Sequence, residues 1–94
     1  MALIIKKDKT PIRVDGTASA KTLVISRNVE ILWIYWYQPT TVAHLLEITD
    51  GDGHPIALGY CENANESQWF PIKARYNDIY INDMDSGTVL IYLG

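Results

Sequence analysis

The sequence predicts an all-β fold, a small antiparallel β-sandwich or jelly-roll-like barrel of eight or so short strands. Apolar and polar residues alternate with period two along runs rich in β-branched and aromatic side chains. No run of about eleven residues shows the 3.6-residue period of an amphipathic helix without turn signals inside it. The 94 residues are enough for one hydrophobic core and too few for two ordinary domains, so residues 1–94 are expected to form a single β domain.

Turn signals separate the candidate strands along the chain. Asp50-Gly51-Asp52-Gly53 and Asp85-Ser86-Gly87 contain the residue types that tolerate positive φ, so both are expected to be hairpin turns. Pro39 marks a further reversal because proline cannot donate to a strand ladder, and the polar residues 61–67 are typical of an exposed loop. In chain order, the candidate strands are residues 3–6, 12–14, 22–26, 29–37, 43–49, 55–61, 67–72, 78–81 and 88–93.

The composition is that of a folded globular chain. Apolar residues make up 48% and charged residues 20%, values that argue against disorder and against a membrane span. Cys61 is the single cysteine, so no intrachain disulfide stabilises the fold, and packing or self-association has to do so. The lysines follow the short apolar run at the start of the chain, the reverse of the order in a secretory signal, so folding in a reducing cytoplasm is expected.

Charge is segregated along the sequence. Residues 1–27 hold six basic and two acidic residues, whereas residues 28–94 hold two basic and nine acidic ones, within a net charge of −3. Residues 1–15 are therefore expected to form a basic N-terminal edge strand or arm, with Lys6, Lys7 and Arg13 contacting an acidic neighbour, which could be another copy of the chain. The alternative is an ordinary solvated edge strand that its lysines protect from pairing.

The candidate strand at residues 29–37 is apolar or aromatic on both faces, whereas strands of an antiparallel sandwich usually present one face to water. Strict alternation places Val29 and Ile31 on one side with three aromatic residues, and Leu32, Ile34 and Trp36 on the other. We expect Leu32 and Ile34 to belong to the core. The other face is expected to be covered, either by the N-terminal segment or by another protein chain, and its predicted contact residues are Trp33, Tyr35 and Tyr37.

The sequence predicts no metal and no cofactor. If Asp50 is counted as the first position of a calcium loop, Pro55 stands where that loop requires glycine and Cys61 stands where it requires glutamate. His44 and His54 have no second ligand at zinc-binding spacing.

No enzymatic activity and no nucleic-acid or membrane partner is predicted either. Glu62 lies beside Cys61, which disfavours a reactive thiolate, and the chain lacks a Gly-rich phosphate loop that opens a helix. Nucleic-acid binding depends mainly on basic residues that neutralise the phosphates. This acidic chain has few lysines and arginines, so a nucleic-acid partner is not expected. An alternative function is a carbohydrate-binding β-sandwich module. In that case tryptophans would stack on sugar rings and amides would bind the hydroxyls; the candidates are Trp33, Trp36, Trp69, Asn63, Asn65 and Gln68.

Residues 39–53 and residues 84–93 carry a resemblance to known proteins. The first segment runs from Pro39-Thr40-Thr41 to the hairpin sequence Ile48-Thr49-Asp50-Gly51-Asp52-Gly53, and the second leads from Ser86-Gly87-Thr88 into an apolar last strand. In these segments the chain resembles small β-rich virion proteins of tailed bacteriophages. The resemblance implies a non-enzymatic capsid decoration or cement protein on the capsid surface. It also implies a homo-oligomer, expected to be a trimer, that contacts the major capsid protein, is made in the host cytoplasm and stabilises the shell by bridging subunits.

Overall fold

The structure is a computed structural model, and it describes residues 3–6 and 11–94. The described residues form strands and connecting turns without a helix, which confirms the all-β prediction. The seven strands are β1 (Ile4–Lys6), β2 (Ile12–Asp15), β3 (Thr22–Tyr37), β4 (Leu45–Asp50), β5 (Pro55–Tyr60), β6 (Gln68–Met84) and β7 (Thr88–Leu93).

Two of these strands are longer than the sequence predicted. β3 combines the candidate strands at 22–26 and 29–37, and β6 combines those at 67–72 and 78–81. The nine candidate strands therefore correspond to seven strands in the structure. The reason is that β-bulges, and not turns, separate the halves of each long strand. Register shifts occur between Leu23 and Ile25 and again between Ile25 and Asn28, and Asp78 on the partner strand has a φ of 60°.

All strand pairs are antiparallel, and the order across the sheet is β1-β2-β7-β3-β6-β4-β5. The second half of β3 pairs with β7 and with the first half of β6, while the first half of β3 pairs with the end of β6. That end of β6 also pairs with β4. The bulged sheet therefore has two parts, a first layer of β1, β2, β7 and the adjoining halves of β3 and β6, and a second layer of β4, β5 and the remaining halves.

The inner faces of the two layers meet in one core. Gly59 of β5 lies so close to the Trp36 ring of β3 that an added Cβ would stand 2.8 Å from the ring atom Cε3. Trp36 is fully buried, and its indole Nε1 donates to the Ser86 carbonyl oxygen at 2.8 Å. The most completely buried apolar side chains come from both layers and include Val14, Ile31, Ile34, Leu46, Ile48, Ile79, Ile81, Met84, Val89 and Ile91.

Both turns predicted from glycine and aspartate are hairpins. Residues 51–54 connect β4 to β5, and residues 85–87 connect β6 to β7. Gly87 has a φ of 82°, and a Cβ there would lie 2.8 Å from the Tyr37 carbonyl oxygen, so glycine is required for both conformation and space. No described helix is long and apolar enough to cross a membrane.

Candidate functional site

A β-bulge decides which residues of β3 face the core. Against β7, Ile31 pairs with Leu93 and Trp33 with Tyr92, so Leu32 is an extra residue on β3. The bulge places Ile31 in the core, on the opposite face from Trp33, and leaves Leu32 only half-buried. The prediction that Leu32 is a core residue is therefore wrong.

Strict alternation also places Val29 and Ile31 beside the aromatic residues, and this is wrong too, because both are buried in the core. From Trp33 onward the facing prediction agrees with the structure. Ile34 is fully buried, as expected of a core residue. Trp33 and Tyr35 are half-buried, and Tyr37 is exposed over 46% of its surface. Beyond the bulge, strict alternation resumes, which places these three aromatic side chains together on the outer side of the first layer.

Neighbouring strands add further apolar side chains to the same side. Tyr35 pairs with Leu90 on one neighbour and with Trp69 on the other, and directly opposed residues share a face of the sheet. Trp33 pairs with Tyr92, and their ring centroids lie 5.0 Å apart with the planes tilted by 32°. We call this surface the aromatic face and define it as Trp33, Tyr35, Tyr37, Trp69, Leu90 and Tyr92.

The side chains of the aromatic face lie on paired strands and are only partly buried. The Tyr35 and Tyr37 rings lie 6.1 Å apart on the same strand, and Trp69 is exposed over 58% of its surface. The face spans three hydrogen-bonded strands, so its side chains project from a continuous ladder. Clusters of half-exposed aromatic side chains with polar tips are common on surfaces that bind other molecules.

The described part of the N-terminal segment adds two strands to one edge of the sheet and does not fold across the aromatic face. β1 pairs with β2, and β2 pairs with β7. Lys6 lies opposite Arg13, which lies opposite Leu90 of the aromatic face, so the two basic side chains stand at the margin of that face. Lys7, the third predicted basic contact, lies outside the described residues.

Arg13 is held in place by an acidic neighbour on its own strand. Its Nε donates to Asp15 Oδ2 at 2.8 Å, and Thr88 Oγ1 donates to the other carboxylate oxygen at 2.7 Å. The hydrogen bond from Arg13 is the main reason that the pKa of Asp15 lies below its ordinary value. Because both partners are accessible to solvent, this pair orients the guanidinium more than it stabilises the fold.

The Asp50 hairpin has a local structural role. Asp50 Oδ1 accepts the backbone N–H groups of Asp52 and His54 at 2.9 and 2.8 Å. Burial raises the pKa of Asp50, but these bonds and the His54 side chain outweigh that effect and hold the pKa below its ordinary value. Ligand atoms of the three residues lie within 4.8 Å of one another. However, the loop itself already uses the Asp50 carboxylate, and calcium needs six to eight oxygen ligands.

A second polar contact joins distant parts of the chain. His44 Nδ1 lies 2.7 Å from Ser86 Oγ, and the same hydroxyl accepts the Thr40 N–H at 2.9 Å. Sequence patterns could not reveal this contact, because 42 residues separate the two side chains. It ties the loop before β4 to the β6–β7 hairpin.

The remaining chemical candidates are dispersed. Cys61 is fully buried, and its thiol donates to the Asn63 carbonyl oxygen at 3.2 Å. A surface pocket of about 320 Å³ is lined by Ile12, Ile25, Ser26 and Arg27. These four residues lie far from His44 and His54 in the sequence.

The structure separates the three tryptophans into two groups. Trp36 is a core residue, whereas Trp33 and Trp69 lie on the same outer face. Of the predicted amide partners, Gln68 donates from Nε2 to the Tyr60 carbonyl oxygen, and Asn63 donates from Nδ2 to Glu66 at 3.2 Å. Sequence reasoning missed Trp69, Leu90 and Tyr92 as members of the aromatic face, since only strand pairing brings them beside β3.

No protein-family model, no curated protein and no solved structure matches this chain. The fold and the site define the class of protein as a small all-β protein with one aromatic sheet face.

Proposed function

We propose that this protein is a non-enzymatic structural protein that docks onto a larger protein assembly through the aromatic face. The observation that carries the proposal is the clustering of Trp33, Tyr35, Tyr37, Trp69 and Tyr92 on one outer side of a regular sheet. Tyrosine and tryptophan are enriched at protein interfaces, where they bury a large area at a low cost in side-chain entropy. The resemblance of residues 39–53 and 84–93 to phage virion proteins supports a phage capsid as the assembly, with this chain as its decoration or cement protein.

The margin of the aromatic face suits docking on an acidic surface. Lys6 and Arg13 are exposed at the end of the row that passes through Leu90 and Tyr35 to Trp69. Basic side chains at a rim steer encounter and fix orientation, while the aromatic centre supplies most of the affinity. On a capsid, many identical copies would bind a repeating surface, so contacts that are weak singly become persistent through avidity.

The test is co-sedimentation of the purified protein with intact virions from cells that produce the chain. Tyr35→Ala and Trp69→Ala are expected to abolish particle binding while leaving the chain folded, because both side chains lie outside the core. Val42→Ala is the matched control, since Val42 is exposed over 52% of its surface and is not a member of the aromatic face. Absence of the protein from virions, or equal binding by all three variants, would refute the proposal.

A carbohydrate-binding module is the second candidate. The observation that favours it is the common facing of Trp33 and Trp69, which allows both indoles to contact one extended ligand. Addition of soluble polysaccharides would then change the tryptophan fluorescence of the wild-type protein, and Trp69→Ala would remove the change. A saturable fluorescence response with no binding to virions would favour this function over the structural one.

A further inference from the structure

The outer side of the second layer carries another exposed apolar surface, bordered by acids. Leu58 and Tyr60 of β5 are exposed over 61% and 51% of their surfaces, and Tyr60 lies opposite Leu45 of β4, which is 42% exposed. Glu47 pairs with Leu58 on one side and with Asp83 on the other. We call this surface the acidic face and define it as Leu45, Glu47, Leu58, Tyr60, Asp83 and Asp85.

The carboxylates of the acidic face crowd one another. Burial, followed by a hydrogen bond to Asp85 and the charges of Asp85 and Glu47, raises the pKa of Asp83 above its ordinary value. Within residues 3–6 and 11–94, one carboxylate forms an ion pair with a lysine or arginine, and it is Asp15 with Arg13 on the other layer. No such ion pair among these residues therefore involves a carboxylate of the acidic face. On the second layer Lys21 lies over the Tyr80 ring, 4.4 Å from its centroid.

The aromatic face has the opposite charge at its borders. Lys6 and Arg13 lie at one margin, and the exposed Lys73 and Arg75 follow Trp69 along β6. Among the described strand residues of β2 and β3, two acids lie on this side of the sheet, namely Asp15 beside Arg13 and Glu30 opposite Arg75. Among the described strand residues, basic ones thus outnumber acidic ones around the aromatic face, whereas Glu47, Asp83 and Asp85 outnumber Lys21 on the outer side of the second layer.

We propose that the acidic face of one copy docks onto the aromatic face of a second copy, so that copies associate head to tail. Each face combines an apolar centre with a charged border, and the two borders have opposite sign, which favours this pairing and disfavours pairing of either face with itself. The inference rests on the proposed function, because it names the surface chemistry that the aromatic face recognises.

The position of the two faces sets the form of the assembly. The two layers pack inner face to inner face, since Gly59 lies against Trp36, so their outer faces point in opposite directions. A head-to-tail contact between opposite sides of a molecule generates an open series of copies, whereas a closed ring requires inclined contact surfaces. The expected assembly is therefore an open series, in place of the trimer that the resemblance implies. The aromatic face at one end stays free to dock onto a capsid.

The test uses one variant for each face, at residues exposed enough to leave the fold intact. Trp69→Glu places a carboxylate in the aromatic face, and Leu58→Lys places a cation in the acidic face, beside Glu47. In analytical ultracentrifugation the wild-type mass is expected to rise steadily with concentration. Each variant alone is expected to stay at the monomer mass of 10.6 kDa, and an equimolar mixture is expected to reach twice that mass and stop there, because one intact face of each kind remains.

Three results would overturn the inference. If Leu58→Lys forms a dimer alone, aromatic faces pair with each other. If the mixture stays monomeric, the two faces are not partners. If the wild-type protein is monomeric at all concentrations, the chain does not self-associate. The proposed function fails differently, through absence of binding to virions, so the two failures are distinguishable.

Discussion

The bulge at Leu32 makes a quantitative prediction about β3. Without the bulge, strict alternation would place Leu32 and Ile34 together in the core; with it, Ile34 is fully buried and Leu32 is half-buried. Substitution of each residue by alanine therefore distinguishes the two arrangements. We expect Ile34→Ala to destabilise the fold severely and Leu32→Ala to destabilise it mildly.

The magnitude follows from burial. Ile34→Ala removes about three buried carbon groups, each worth about 0.8 kcal/mol, or about 2.5 kcal/mol in total. The cavity left in a packed core raises the loss to about 3–4 kcal/mol. Leu32 is only half removed from water, and its truncation leaves no closed cavity, so a loss of about 1 kcal/mol is expected. For a chain of this length, with a total stability of about 5–14 kcal/mol, the first loss is a large fraction and the second is not.

The assay is equilibrium urea unfolding, with the free energy of unfolding extrapolated to water. Measurements at two protein concentrations separate folding from self-association, because association makes apparent stability depend on concentration. A loss for Leu32→Ala equal to or larger than that for Ile34→Ala would refute the bulge and restore strict alternation.

Three further predictions concern packing and charge. Gly59→Ala should cost about 1–3 kcal/mol in the same assay, because its Cβ would clash with the Trp36 ring; a neutral effect would contradict the contact between the layers. Asp83→Asn should raise stability by about 0.5 kcal/mol at neutral pH. A raised folded-state pKa favours the protonated form, so the charged Asp83 costs stability above that pKa and the gain should fade in acid. Asp50→Asn should have the opposite sign. Its lowered pKa contributes stability at neutral pH that is lost as pH falls through the folded-state value, so thermal melts of wild type and variant should converge in acid.

The aromatic face shows how far sequence patterns reach toward a site. Trp33, Tyr35 and Tyr37 could be grouped from the sequence because they alternate within one strand. Trp69 and Tyr92 could not be added to them, because their strands begin more than thirty positions further along the chain and their neighbours depend on register. The acidic face is likewise assembled from strands that pair across the sheet, β4, β5 and β6.

By itself the sequence determined the all-β class, the hairpins at Asp50–Gly53 and Asp85–Gly87 and the burial of Ile34, because alternation and turn chemistry are local properties of the chain. The tertiary structure decided where strands bend without ending, that Leu32 leaves the core and which aromatic residues share a face. A bulge is one extra residue accommodated against a partner strand, and pairing brings together residues far apart in sequence. Both depend on contacts that no local pattern records.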